Sequence, residues 1–115
     1  MILFVDDEKQ PEWFYLNRTN IHVATTFEDA LKLIQKNVYD IIYMDHDLGD
    51  SCHDGSHLIT EYGKAGKSIQ KVCCISWNPL GVERIRLACK DFNIPFESHG
   101  MRIFDLFPVI DGQSH

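Results

Sequence analysis

The sequence has no excess of positive charge. It carries 11 Lys and Arg against 17 Asp and Glu, a formal net charge of −6 with His neutral. Proteins that grip a nucleic-acid backbone generically need the opposite balance, so generic DNA binding is not expected. No stretch approaches the ~20 consecutive apolar residues of a membrane helix, and no membrane association is expected. The opening apolar run Ile2–Val5 ends at once in Asp6-Asp7-Glu8, which does not read as a signal peptide. The four cysteines, Cys52, Cys73, Cys74 and Cys89, lack zinc-ribbon or thioredoxin spacing. Cys73 and Cys74 would face opposite sides of a sheet and read as buried free thiols. There is no internal repeat, low-complexity tract or linker. The expectation is one cytoplasmic domain over residues 1–115. At 44% apolar and 24% charged residues, the chain can build one hydrophobic core.

What is present is an alternation of short apolar runs and amphipathic segments. Ile2–Val5 reads as a buried strand, Ile21–Ala24 as a second short strand, the stretch from Asp40 to Met44 contains a third, Val72–Ile75 is a fourth, and Ile94–Ser98 is a weaker fifth interrupted by Pro95. Pro11 can open a first helix with Trp13, Phe14 and Leu16 as core candidates. Thr26 can cap a second, in which Phe27, Ala30, Leu31 and Ile34 share a face and which Asn37 can end. Leu58, Ile59 and Tyr62 mark a third helix, ended by Gly63 or Gly66. Val82, Ile85, Ala88, Cys89 and Phe92 mark a fourth. A last short helix around Ile103, Leu106, Phe107 and Ile110 is limited by Pro108. This order predicts an α/β fold: a doubly wound, parallel five-stranded sheet with helices on both faces.

In such sheets the site lies outside the carboxyl ends of the strands. Asp6 and Asp7 follow the first strand, and Asp45 and Asp47 follow the third. On adjacent strands these carboxylates repel one another unless a cation lies among them, and a hard divalent ion, Mg2+ or Mn2+, suits that need. Alternatively, such acids decorate loops or cap helices. The metal reading requires Asp7 to converge with Asp45 and Asp47. It also requires that no lysine ammonium already fill the gap.

Val5-Asp6-Asp7-Glu8, Ile41-Ile42-Tyr43-Met44-Asp45, Asp54-Gly55 and Ser76 resemble the receiver domains of two-component signalling, with a flavodoxin-like fold. That resemblance implies magnesium held by the acids after the first strand, an Asp that accepts a phosphoryl group, and a Ser that contacts it. The expected Lys after the fifth strand is missing, since the chain reads Phe96-Glu97-Ser98-His99-Gly100. The loop after Asp45 is also about two residues longer than in receivers, so Asp45 and Asp47 compete for the acceptor position. A divergent branch, the cyclic-phosphate processing receiver-like family, is more similar. It shares Asp6-Asp7-Glu8-Lys9-Gln10-Pro11, Asp45-His46-Asp47-Leu48-Gly49 and Ser76-Trp77-Asn78-Pro79-Leu80-Gly81. That family usually has Arg where Lys9 stands and often His where Ile75 stands.

This resemblance implies binding or hydrolysis of a cyclic or terminal phosphate group on a nucleotide or RNA end. Asp7, Asp45 and Asp47 would hold the metal, with Asp6 as a further ligand or orienter. His46, flanked by acids, suits a general acid or a phosphate contact, although it can equally fix the loop through a backbone carbonyl. Asp47, Ser76 and Asn78 join His46 as catalytic candidates. Lys9, Ser76, Asn78 and His99 are candidate phosphate contacts, and Trp77 can stack on a base. Asn78-Pro79 can also be a plain turn. Whether the chain is an enzyme, a metal-dependent cyclic phosphodiesterase or phosphohydrolase, stays open at this point. The competing readings are a receiver switch phosphorylated on Asp45 or Asp47 and a non-catalytic module that binds a larger protein partner.

Overall fold

The computed structural model describes residues 1–14, 16, 19–45, 55–76 and 78–98. Along the chain run β1 (Ile2–Val5), a 3-10 helix (Pro11–Phe14), β2 (Ile21–Ala24), α1 (Phe27–Lys36), β3 (Ile41–Met44), α2 (Gly55–Lys64), β4 (Lys71–Cys74), α3 (Pro79–Asp91) and β5 (Phe96–Ser98). The strands form one sheet in the order β2-β1-β3-β4-β5, and every pairing is parallel. The flavodoxin-like, doubly wound sheet expected from the sequence is therefore present. Winding reverses at β1, which has β2 on one side and β3 on the other. The crevice above β1 and β3 is thus the switch point where such folds place ligands.

Local chemistry sets the helix ends. Thr26 Oγ1 accepts the Asp29 N–H at 3.1 Å, and Asn37 N–H closes α1 on the Leu33 carbonyl at 3.0 Å. Gly66 stands just beyond α2 with a φ of 70°, in the left-handed region that ends helices. Asn78 caps α3, and Pro79 follows at a position where its missing N–H costs nothing. α1, α2 and α3 all contribute to one core, in which Phe27, Ala30, Ile34, Leu58, Ile59, Tyr62, Ile85, Ala88 and Cys89 pack with Leu3, Val5, Ile42, Met44, Val72 and Cys74.

The opposite face carries Phe4, Tyr43, Cys73 and Ile75, covered by Phe14 with Trp13 and Leu16 beside it. Among the described residues the helix on this face is the four-residue 3-10 turn, shorter than the helix expected from Pro11. Two strand boundaries also differ from expectation. β5 begins at Phe96, because Pro95 has no N–H for the ladder and offers only its carbonyl, to Val72 N–H at 2.9 Å. β4 spans Lys71–Cys74, although Ile75 N–H still donates to the Met44 carbonyl at 3.0 Å. The expected helix around Ile103–Ile110 lies outside the described residues. Among the described residues, no helix is long and apolar enough to cross a membrane.

Candidate functional site

The parallel register carries one residue past the strands. Val5 pairs with Met44 and Met44 with Cys74, so Asp6, Asp45 and Ile75 form the next row across the sheet. Their backbones remain on the ladder. Asp6 N–H donates to the Ala24 carbonyl at 3.1 Å, and Asp45 N–H donates to the Val5 carbonyl at 3.0 Å. Two carboxylates from separate chain segments are thereby fixed side by side on the most constrained part of the fold.

Asp6 is 1% exposed. A buried carboxylate needs donors, and it has three. Its Oδ1 accepts the backbone N–H of Glu8 at 2.7 Å and of Lys9 at 3.0 Å, an Asx turn that folds the chain back on itself. Its Oδ2 accepts from Lys9 Nζ at 3.1 Å. The turn thus lowers a lysine, itself only 8% exposed, into the crevice, where its Nζ also lies 3.9 Å from Asp45 Oδ2. Asp45 is 8% exposed, whereas Asp7 is exposed at the mouth. Asp6, Asp7 and Asp45 each offer an oxygen, and these oxygens lie within 4.8 Å of one another. Among the described residues this is the one group of three metal-ligating side chains.

The first requirement of the metal reading is met for Asp7 and Asp45, while Asp47 lies outside the described residues. The second is not met as stated, because an ammonium does stand among the acids. Lys9, expected as a phosphate contact, is held by Asp6 and faces Asp45. Yet it brings one positive charge to three carboxylates, and the formal charge of the group is still −2. The ammonium offsets part of the repulsion and leaves a deficit that a divalent ion matches.

The remaining candidates divide between described and undescribed positions. Ser76, 2% exposed, follows the row directly, and its Oγ accepts the Asn78 N–H at 3.1 Å. Asn78 is exposed, and its Oδ1 accepts the Leu80 N–H at 3.0 Å, so the expected turn is in fact a helix cap. An Asn directly before a Pro and an apolar periodic run was the available signal for it. Ile75 is fully buried beside Phe4 and Tyr43 and offers no proton where the resemblance implies a His. His46, Asp47, Trp77 and His99 lie outside the described residues.

Two further features bear on the site. Gly55 opens α2 against the end of β3, where an added Cβ would lie 2.5 Å from the Asp45 carbonyl oxygen and 2.8 Å from Met44 Cγ. The approach that seats α2 beside the acceptor candidate therefore depends on a missing side chain. The cysteines nearby are protonated packing groups. Burial pushes the Cys74 thiol up to about 11, against a hydrogen bond from the Ser76 backbone and with some help from Asp45. Burial likewise raises Cys73 to about 11, which argues against thiolate chemistry at the pocket.

Residues 1–91 match the family described as the cyclic-phosphate processing receiver domain. No curated protein sequence matches the chain. In fold it is similar to the response regulator TrrA from Thermotoga maritima, solved with Mg2+ and BeF, at a TM-score of 0.65 and 21% identity over 96% of this chain and 95% of that one. It is also similar to the receiver domain of NtrX from Brucella abortus, at a TM-score of 0.64 and 22% identity over 96% and 95% of the two chains. A CheY-like receiver from Methanospirillum hungatei gives a TM-score of 0.60 and 16% identity over 96% and 89%. At these identities the likeness establishes the fold.

Proposed function

Because the chain belongs to the cyclic-phosphate processing receiver domain family, we propose that its acid pocket takes up a divalent cation, Mg2+ or Mn2+, and with it binds a cyclic or terminal phosphate group on a nucleotide or RNA end. One observation carries this reading. Asp6, Asp7 and Asp45, delivered by two neighbouring strands, converge within 4.8 Å with a formal charge that Lys9 only partly offsets. An all-oxygen donor set with one carboxylate open to water suits a hard ion that keeps several waters. Asp7 and Asp45 would hold it, and Asp6 would orient them or add its Oδ2. Such an ion, when bound, neutralises charge on phosphate oxygens.

The chain's own groups do the rest. Ser76 Oγ already accepts from the Asn78 backbone, which leaves its hydroxyl proton for a phosphate oxygen. The Asn78 side-chain amide can donate as well, since its cap uses only Oδ1. In the same proposal His46 supplies a proton to the leaving oxygen beside Asp47, with Trp77 and His99 as further contacts, all read from the sequence.

Calorimetric titration with Mg2+ and Mn2+ tests the first step, and loss of a 2′,3′-cyclic phosphate from a model dinucleotide end product tests the second. Binding that disappears in Asp45→Asn supports the proposal. Absence of ion binding by the wild-type protein refutes it. A second reading, a switch phosphorylated on Asp45, is favoured by the position of that residue at the end of β3 with an ammonium 3.9 Å away. A mass gain from a small phosphodonor, lost in Asp45→Asn but not in Asp47→Asn, would select it. Receiver domains commonly act through protein partners, and partner binding that survives both substitutions would separate the contact surface from the pocket.

A further inference from the structure

Resting on the metal reading above, we propose that Lys9 is a tethered counter-ion that a divalent cation displaces, so that ion loading turns its ammonium outward as a phosphate contact. The two cations draw on the same pair of carboxylates, Asp6 and Asp45, and compete for one atom where Asp6 adds its Oδ2 to the ion. Asp6 Oδ1 is committed to the backbone N–H groups of Glu8 and Lys9, which leaves Oδ2, and Oδ2 is the oxygen Lys9 Nζ holds at 3.1 Å. Asp45 Oδ2, the other near oxygen, lies 3.9 Å from the same ammonium. A doubly charged ion and an ammonium crowded onto these oxygens in a buried setting repel each other strongly, whereas either alone is stabilised there.

The local structure allows the exchange. The Lys9 backbone stays anchored through its N–H to Asp6 Oδ1, so only the four-carbon stem has to move. The flanking residues Glu8 and Gln10 are both exposed, so Lys9 lies in a segment that borders solvent. The same arrangement explains how a cluster of three acids is tolerated when no ion is bound. Lys9 neutralises the most buried of them, Asp6, and leaves the exposed Asp7 to water. The ion then enters first and the phosphate second, because a divalent ion cancels the remaining formal charge of −2 on Asp6, Asp7, Asp45 and Lys9, and with it the repulsion a phosphate would meet.

The wild-type protein tests this directly. Lysine acetylation by an activated acetyl ester, read by peptide mass spectrometry, should modify Lys9 slowly without divalent ions. Addition of Mg2+ or Mn2+ at matched ionic strength should raise the rate about tenfold or more. The exposed Lys32 and Lys36 serve as internal references and should not change. A thermal melt of the same samples reports ion binding independently. A melt shifted upward by the ion with Lys9 still protected overturns the displacement and leaves the metal site standing. No melt shift and no change in labelling overturns both. In Lys9→Gln, where the competitor is gone, apparent ion affinity should rise about tenfold. Weaker ion binding by that variant would show that Lys9 assists the ion and would refute the proposal. If the variant does not fold, the wild-type labelling still decides.

Discussion

Replacing Gly55 by Ala places one methyl group into the contact that seats α2 beside Asp45. The added Cβ would lie 2.5 Å from the Asp45 carbonyl oxygen, 2.8 Å from Met44 Cγ and 3.2 Å from Met44 Sδ, against an ordinary contact of at least 3.4 Å. Helix or strand must yield by about 0.9 Å, and the nearest atom is backbone, so no rotamer change relieves it. Retreat of the helix is resisted along its length. Leu58, Ile59 and Tyr62 are buried against the sheet. Tyr62 Oη accepts the Tyr39 N–H at 2.9 Å, and the Gly63 side of the helix presses on the Phe92 ring.

Overpacking of this kind costs ~1–3 kcal/mol. Ala recovers up to ~1 kcal/mol of helix propensity over Gly, and less than that at the first helical position. The expected net loss is about 1–2 kcal/mol, read as a lower urea midpoint with an unchanged slope. Ion affinity should weaken in parallel, because the carbonyl being pushed belongs to a candidate ligand. Gly66→Ala is the control. Its Cβ meets open space, and only its φ of 70° is unfavourable, so stability should fall by about 1 kcal/mol while ion binding is unaffected. A Gly55→Ala protein as stable as wild type would mean that propensity outweighs the contact, and the claim that α2 is seated on Asp45 would be wrong.

Two further outcomes follow from the Tyr62 hydroxyl and the buried thiols. Tyr62→Phe removes the acceptor of the buried Tyr39 N–H and the donor to the Ser68 carbonyl at 3.2 Å, and should cost about 1–3 kcal/mol in urea unfolding. A cost below a few tenths would show that water replaces the hydroxyl. The thiols predict alkaline weakness. Burial raises Cys73 and Cys74 to about 11 and Cys89 to about 12 from 9.0, so each is held neutral in the fold after it ionises in the unfolded chain. Their contribution is complete below pH 9 and is lost as pH rises through the folded values, at about 1.4 kcal/mol per pH unit for each thiol between pH 9 and 11. Stability that stays flat over that range would refute the buried-thiol assignment.

The fold was legible in the sequence because its strands are short and the central three, β1, β3 and β4, are buried on both faces. Ile2–Val5 and Ile21–Ala24 match the observed strands at both ends, and Thr26 and Asn37 mark α1 through capping chemistry that is local. The acid pair at β1 and β3 was legible for a similar reason, since a parallel register turns two strand ends into neighbours. What escaped was contact made through a turn. Lys9 read as a ligand-facing base, because nothing in its spacing reveals that Asp6 gathers the next backbone N–H groups and folds the lysine back. Ile75 shows the opposite. Its apolar character was plain, and its place in the row of Asp6 and Asp45 means that any acid catalysis must draw its proton from another position.

The buried lysine and the 3-10 turn of Pro11–Phe14 lie in the same connection. Between Val5 and Ile21 the chain must both serve the pocket and cross the sheet face. The Asx turn takes Asp6 to Lys9, and among the described residues the helical segment that follows is Pro11–Phe14. Among the described residues, those four cannot cover a sheet face with a regular apolar stripe, and aromatic side chains pack over it as well. Phe4, Phe14 and Tyr43 meet with centroids 5.8–6.0 Å apart, a tilted aromatic cluster on that face. Phe4 and Tyr43 stand two residues before Asp6 and Asp45 on the same face of their strands, so this cluster adjoins the carboxylates along that face. Truncating Phe14 would therefore loosen the pocket, although Phe14 touches neither ion nor phosphate in this reading. That coupling distinguishes a site built into the sheet from acids carried on a loop.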